Sequence, residues 1–319
     1  MATSSPVVVR VPATSANLGP GFDSLGLALT LYDEIEAVLH DDVPGSPNAR
    51  GVVVAVEGEG AGELDLGDGH LIVKAMRATF DRAGVPQPRG IRLRCLNRIP
   101  HARGLGSSSA AICAGILAAR ALAAPEMTDD EVFALATEME GHPDNVAPCL
   151  SGGLTIAWTE LSGTPRKLKL SPHGGVRPVV LVPGTRLSTE TARGLLPKDV
   201  PHADAAANAG RAALLIAALT QRPESEVLLA ATEDRLHQAY RAPAMPGTAD
   251  LVKRLRVAGV PAVVSGAGPT VLAFGTTDTH DLIASEVGND WHIQPLDVDR
   301  SGATVQFPRH ADASSTFRE

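Results

Sequence analysis

The chain reads as an α+β protein of two domains, on three observations. Apolar residues recur with strand spacing in some segments and helical spacing in others, and the two kinds are interleaved without strict alternation. Of 319 residues 44% are hydrophobic but only 3% aromatic, so the core is built from Val, Leu, Ile and Ala. A polar stretch rich in Pro, Ser and Gly, Leu161 to Gly175, marks a boundary near mid-chain in a sequence long enough for two medium domains.

The elements follow in order. Val7 to Val11 is a β-branched run ending at Pro12, a strand. Leu27, Leu29, Leu31, Ile35, Ala37 and Leu39 keep strand spacing and predict a long strand or a hairpin. Val52 to Val56 is a third strand. Leu71, Ile72, Ala75, Met76 and Phe80 share a helical face that Gly84 and Pro86 stop. Ile91, Leu93 and Cys95 alternate again, and after a glycine-serine loop the small-residue run Ser109 to Ala124 ends at Pro125. Thr128 and Glu131 form a capping box whose helix runs to about Glu140. Leu154 to Trp158 is a strand, as is Val176 to Val182. Helices are expected over about 189–195, 205–219, 224–240 and 248–258, then a strand pair around Ser265 to Pro269, and a frayed tail from Arg309 to Glu319.

Composition excludes several function classes. The net charge is −8, from 28 basic and 36 acidic residues, and no basic stripe gathers, which argues against nucleic acid and anionic membrane. Cys95, Cys113 and Cys149 are odd in number, widely spaced and without a CxxC, so neither a disulfide framework nor a zinc knuckle is expected. The opening MATSSPVVVR lacks the charged and apolar regions of a signal peptide. No apolar stretch reaches the ~20 residues of a membrane span. The expectation is a cytoplasmic protein.

The segment Pro100-His101-Ala102-Arg103-Gly104-Leu105-Gly106-Ser107-Ser108-Ser109 carries the most chemistry. Glycines let the backbone approach an anion closely, and the serines open a helix whose first amides point outward. It is not a Walker A loop, because no Lys follows Gly106. Arg103 or Arg98 is the nearest cation available to a phosphate. Alone, the segment reads equally well as a Gly-rich turn with a Ser cap.

Three more constellations accompany it. Asn17 and Asp23 stand among turn formers after the first strand. Glu140, His142, Asp144 and Asn145 bring acids, imidazole and amide within six residues, a set able to hold Mg2+ through oxygen; a solvated helix end with Asn145 as the N-cap of a following helix explains it too. Ser265-Gly266-Ala267-Gly268-Pro269-Thr270 lies between apolar runs, as a tight hairpin or as amides presented to a substrate.

Together these loops resemble the GHMP kinases. The Pro-x-x-x-Gly-Leu-Gly-Ser-Ser loop and the later Gly-x-Gly-Pro-Thr loop stand in the family's order. The segments Val11 to Asp23, His142 to Pro148, Leu187 to Arg193 and Glu233 to Arg241 look like the homoserine kinases within it, closest to their actinobacterial branch. The resemblance spans residues 6 to 275. It implies ATP and Mg2+, a nucleotide held by residues 100–109, and metal contacts from Ser108 and Glu140, with Glu138 as the fallback. It implies an acceptor site of Asn17, Asp23, His142, Asn145, Arg193, Arg241, Gly266 and Gly268 for L-homoserine. There Arg193 and Arg241 clamp the carboxylate, Asp23 faces the ammonium and Asn145 the hydroxyl. Asn145, Glu140, Ser108 and Arg193 are the catalytic set.

The physics suits a zwitterion, which needs one anionic and one cationic recognition point. The implied fold is the two-domain GHMP kinase fold. Its ATP-binding domain, residues 1–163, is like ribosomal protein S5 domain 2, and its C-terminal domain, residues 164–319, is ferredoxin-like; homodimers are common in the family. Two places depart from the family pattern: Asp68-Gly69-His70-Leu71, where many relatives carry Asn, and a third serine in the loop. No general base is evident. Another GHMP small-molecule kinase, of mevalonate or sugars, and a non-catalytic ATP-binding relative are the alternatives.

Overall fold

The computed structural model describes residues 4–40, 51–275 and 280–308, so the tail expected to fray lies outside the described residues. Two sheets organise the chain. The first holds β1 (Val7–Ala16), β2 (Leu25–His40), β3 (Gly51–Gly58), β4 (Gly90–Asn97), β5 (Leu154–Thr159), β6 (Pro165–Leu170) and β11 (Thr304–Gln306). Its order is β11-β1-β2-β4-β3, with β5 beside the start of β2 and β6 outside β5. The pair β3–β4 is parallel and the rest are antiparallel.

The strand β1 does not stop at Pro12 as expected. A register shift between Pro12 and Ala13 lets it run on to Ala16, because a bulge absorbs a residue that cannot donate to the ladder. The alternation of Ile91, Leu93 and Cys95 is realised: all three are buried in β4, in one core with Val7, Val9, Leu27, Leu29 and Ile35.

Four helices cover this sheet: α1 (Leu71–Arg82), α2 (Ser107–Ala123), α3 (Asp129–Glu140) and α4 (Pro143–Ser151). The helix α2 is buried almost all round from Ser109 to Ala119, which explains its Ala-rich composition: small side chains let neighbours on every side approach. At the head of α3 the Thr128 hydroxyl accepts the Glu131 N–H while the Glu131 carboxylate accepts the Thr128 N–H, completing the box expected there.

The second sheet is antiparallel, in the order β10-β7-β9-β8: β7 (Pro178–Pro183), β8 (Ala262–Val264), β9 (Val271–Phe274) and β10 (Trp291–Pro295). Both faces are covered, and side chains divide between them by strand periodicity. Val179, Leu181, Val271 and Ala273 pack with Leu251 and Leu255 of α9 (Pro246–Val257) and Ile283 of α10 (His280–Glu286). Val180, Val182, Leu272 and Phe274 instead join the larger core with Leu215 and Leu219 of α6 (His202–Thr220) and Leu228 of α7 (Ser225–Ala231).

Some expectations need correcting. The polar stretch Leu161 to Gly175 contains β6, so the boundary expected at 163/164 falls in the β5–β6 turn. The sheets change over between Leu170 and Pro178, and the first sheet takes back β11. The helix expected over 224–240 is split into α7 and α8 (Gln238–Arg241). Between them the Asp234 carboxylate accepts the N–H groups of Leu236, His237 and Gln238, satisfying the backbone outside a helix ladder. The helix α4 begins at Pro143 with His142 in the N-cap position, so Asn145 lies inside its first turn and does not cap it; the sequence gives no signal for α10, β10 or β11.

Candidate active site

The approach to the glycine loop is fixed from β2: the Asp33 Oδ1 accepts the N–H groups of Arg98 at 2.6 Å and Ile99 at 2.9 Å. Gly104 and Gly106 then take φ of 78° and 71°. A Cβ on Gly104 would come within 3.0 Å of Gly268 N, and one on Gly106 within 3.1 Å of Asn145 Oδ1, so close approach as well as positive φ requires glycine at both. The first bond of α2 runs from Ala110 N–H to Gly106 O, at 2.9 Å. The amides of Ser107, Ser108 and Ser109 therefore lack helical partners; no side chain caps them and no acid occupies the first turn. A 17-residue helix ending this way is an anion site.

Two cavities meet at that helix end, and Ser107 and Ser108 line both. The first, of about 240 Å³, lies between the two sheets: Asn17, α4 and the Gly106 turn come from the first, Arg193, Arg241 and Gly266 from the second, while Asp23 does not line it and reaches it only through its pair with Arg193. The second cavity, of about 290 Å³, runs under α1 and is lined by Asp33, Leu64, His70, Ile72, Asn97 and His101, among others.

In the first cavity the Ser108 hydroxyl donates to Glu140 Oε2 at 2.8 Å. Burial pushes the Glu140 carboxyl above the usual range, against the pull of Ser108 and His142. A buried carboxylate with a hydroxyl beside it, short of positive charge, is an oxygen set suited to a hard divalent cation. No group of three or more His, Cys, Asp or Glu among the described residues could cage a metal, so remaining ligands would come from a phosphate and water. The His142 Nδ1–H donates to Asp144 Oδ1 at 2.6 Å, and its Nε2 lies 4.0 Å from Glu140 Oε1. Burial opposes a charge on His142, but the Asp144 bond and the two carboxylates outweigh it and raise its pKa.

The Thr14 hydroxyl donates to Asn145 Oδ1 at 2.7 Å. With the amide oxygen engaged, Asn145 presents its Nδ2 donors to the cavity. Asn17, at φ 67°, ties the two halves together: its Nδ2 donates to Gly266 O at 2.9 Å, and its Oδ1 accepts the Asp23 N–H.

Asp23 and Arg193, the latter on α5 (Thr189–Gly194), are paired directly by two bonds, of 2.7 and 3.1 Å. That fork raises the Arg193 pKa still further. Arg241 is 1% exposed and has no ion-pair partner among the described residues; burial lowers its pKa. Its bonds go to Ala192 O, Gly266 O and His237. A buried guanidinium at a cavity wall, bonded only to neutral groups, is built to meet an anion.

The second cavity leans apolar and holds one conspicuous feature. His70 is 5% exposed, and neither ring nitrogen has a protein partner. Burial lowers its pKa, and that of His101 nearby. Burial also raises Asp33 to about 6.

The structure brings together most residues singled out from the sequence, with exceptions. Arg103 lines neither cavity: its guanidinium donates to Pro183 O, Gly184 O and His101 O, tying the loop to β7. Gly268 does not line the cavity and gives its N–H to Ser265 O. Glu138 is on the surface, paired with Arg82, whereas Glu140 lines the first cavity. Ser109 and Leu105 are fully buried behind the loop, and Pro100 lines neither cavity. Thr14 and Asp33 carry no signal of a role in the sequence, whereas Asp144 belongs to the acidic set above and His70 to the segment that departs from the family pattern.

Residues 70–153 match the model of the GHMP kinases N terminal domain, and residues 205–293 that of the GHMP kinases C terminal domain. The chain is 56% identical to a homoserine kinase of Streptomyces coelicolor over 302 residues, 94% of each chain. It is 54% identical to one of Clavibacter michiganensis subsp. michiganensis over 313 residues, 96% of each. The crystal structure of the Cytophaga hutchinsonii homoserine kinase superposes with a TM-score of 0.78 at 25% identity, covering 96% of this chain and 99% of that one.

Proposed function

The chain belongs to the homoserine kinase branch of the GHMP kinase family, and from that premise we propose that it transfers the γ-phosphoryl group of ATP to the side-chain hydroxyl of L-homoserine. The products are ADP and O-phospho-L-homoserine, a step of threonine biosynthesis carried out in the cytoplasm. Among the described residues no helix is long and apolar enough to cross a membrane. One observation carries the reading: the uncapped amides of α2 lie at the junction of two cavities, one leaning apolar and one equipped with both an acid and guanidiniums.

The nucleobase occupies the second cavity, where the unpartnered ring nitrogens of His70 offer it hydrogen bonds. The phosphates follow to the amides of Ser107 and Ser108, so that the γ-phosphate emerges into the first cavity. Ser108 and Glu140 would hold Mg2+, which when bound offsets the charge of the phosphates. Arg241 takes the carboxylate of homoserine and Asp23 its ammonium, so the substrate divides the Asp23–Arg193 pair and leaves Arg193 free for the carboxylate.

The Asn145 Nδ2 donates to the acceptor oxygen and aims it at the phosphorus. A bond forms from that oxygen to the γ-phosphorus, the bond to the bridging oxygen of ADP breaks, and the hydroxyl proton leaves to a phosphate oxygen or to solvent. With a loose transition state, alignment and charge stabilisation supply the rate, and no strong base is required. Phosphorus NMR of a reaction with unlabelled ATP and L-homoserine tests this. A new phosphomonoester signal, coupled to the side-chain methylene protons, is expected; a phosphoryl group on any other atom refutes it.

A further inference from the structure

His237 is fully buried, and both its ring nitrogens face partners whose roles are chemically fixed. Its Nε2 is 2.8 Å from Gly19 O, which only accepts. Its Nδ1 is 3.2 Å from Arg241 Nη1, which only donates. Both contacts are satisfied by one species, the neutral imidazole with its proton on Nε2; either the imidazolium or the other tautomer sets donor against donor at Arg241. The ring also stacks on Phe22 at 5.1 Å, and the Arg241 guanidinium lies 5.3 Å from the centre of the same Phe22 ring. His237 thus joins the loop that carries Asn17 and Asp23 to the helix that carries Arg241.

We propose that His237 is a positioning residue for the acceptor: as the neutral Nε2–H tautomer it holds Arg241 at the cavity wall, against the 17–23 loop, in the orientation that receives the substrate carboxylate. The proposal rests on the acceptor reading above. The charged groups around the ring are Asp234 on its own segment, with Oδ2 3.7 Å from Nε2, Arg241 on α8, and Asp23 on the facing loop. Burial and Arg241 disfavour its protonation and the two acids favour it, with a net lowering of its pKa. Acceptor binding therefore holds at neutral pH and weakens as the pH falls below the ordinary imidazole range.

Kinetics of the full chain with Mg-ATP and L-homoserine, from about pH 5 to 8, test this. His237→Leu should raise the KM for homoserine by about tenfold or more, the effect of losing a hydrogen bond to a charged group, with kcat and the KM for ATP within about twofold. His237→Gln keeps a donor and an acceptor that do not titrate. It should restore the KM to within about threefold and flatten its rise at acid pH. In an Arg241→Ala background the His237→Leu effect should largely vanish. The proposal is overturned if kcat and both KM values move together, if His237→Gln keeps the acid rise, or if the effect survives intact without Arg241.

Should His237→Leu not fold, the His237→Gln pH profile decides alone. Nitrogen-15 spectra of the ligand-free protein give a readout independent of substrate. The His237 signals, assigned by their loss in His237→Gln, should show a neutral ring protonated at Nε2; an Nδ1–H tautomer or an imidazolium at neutral pH contradicts the assignment. A wild-type enzyme silent toward homoserine would sink the acceptor reading, while the spectra still decide the hydrogen-bond assignment.

Discussion

Asn145 gives up its side-chain oxygen to the Thr14 hydroxyl and keeps its amide hydrogens for the cavity. It can therefore orient a hydroxyl but cannot take its proton. Asn145→Ala should lower kcat by about ten- to a hundredfold and leave the KM for ATP unchanged, in line with the loss of one aligned donor. Thr14→Val should show a smaller drop, because the amide is then free to turn; steady-state kinetics of both variants check the order.

Asp33 tests the second cavity. Its carboxyl is raised to about 6 by burial, so the folded state prefers it protonated. The stability this gives is fully present below pH ~4 and is lost as the pH rises through about 6. Asp33→Asn keeps an oxygen to accept the Arg98 and Ile99 amides and removes the charge. It should stabilise the nucleotide-free protein at neutral pH by on the order of 2 kcal/mol and abolish the gain on acidification, measured by urea unfolding at several pH values.

The helices α2, α3 and α4 deliver the site from their ends: the amides of Ser107 and Ser108 open α2, Glu140 closes α3, and Asn145 lies in the first turn of α4. The capping box at the far end of α3 is remote from the chemistry. Thr128→Ala should cost about 1 kcal/mol in chemical denaturation and leave turnover as it was. The elements readable from sequence were those with strong periodicity or local stop signals, such as the alternating β4 and the capped α3. The bounds of α4 were not, because nine residues with prolines at 143 and 148 show no helical pattern and are held by packing under β2 and β5. The strand β6 hid in a polar segment because it is an outer strand with Arg166, Lys167 and Lys169 along it.

Across the whole molecule, the site exists because the two sheets present loops to each other. The segments bearing Asn17, Gly104, Asn145 and Gly266 were recognisable as motifs, but their meeting is a tertiary fact, made by bonds such as Asn17 to Gly266 over 249 residues. Arg103 shows the limit of reading charge from sequence: beside a phosphate loop it looked like a phosphate ligand, yet its donors go to carbonyls of Pro183 and Gly184. Arg103→Met should raise the KM for ATP by loosening that tie, by about tenfold for the loss of charge-assisted bonds. The rise should be insensitive to salt, as that of a direct phosphate ligand would not be.

The most direct measurement is ADP release from Mg-ATP with L-homoserine, L-serine, L-threonine, mevalonate and galactose offered separately, to the wild type and to Arg241→Met. The account predicts turnover with homoserine above every other acceptor, and a KM for homoserine raised by at least about tenfold in the variant. Turnover that prefers mevalonate or galactose, or homoserine turnover indifferent to Arg241, would contradict it.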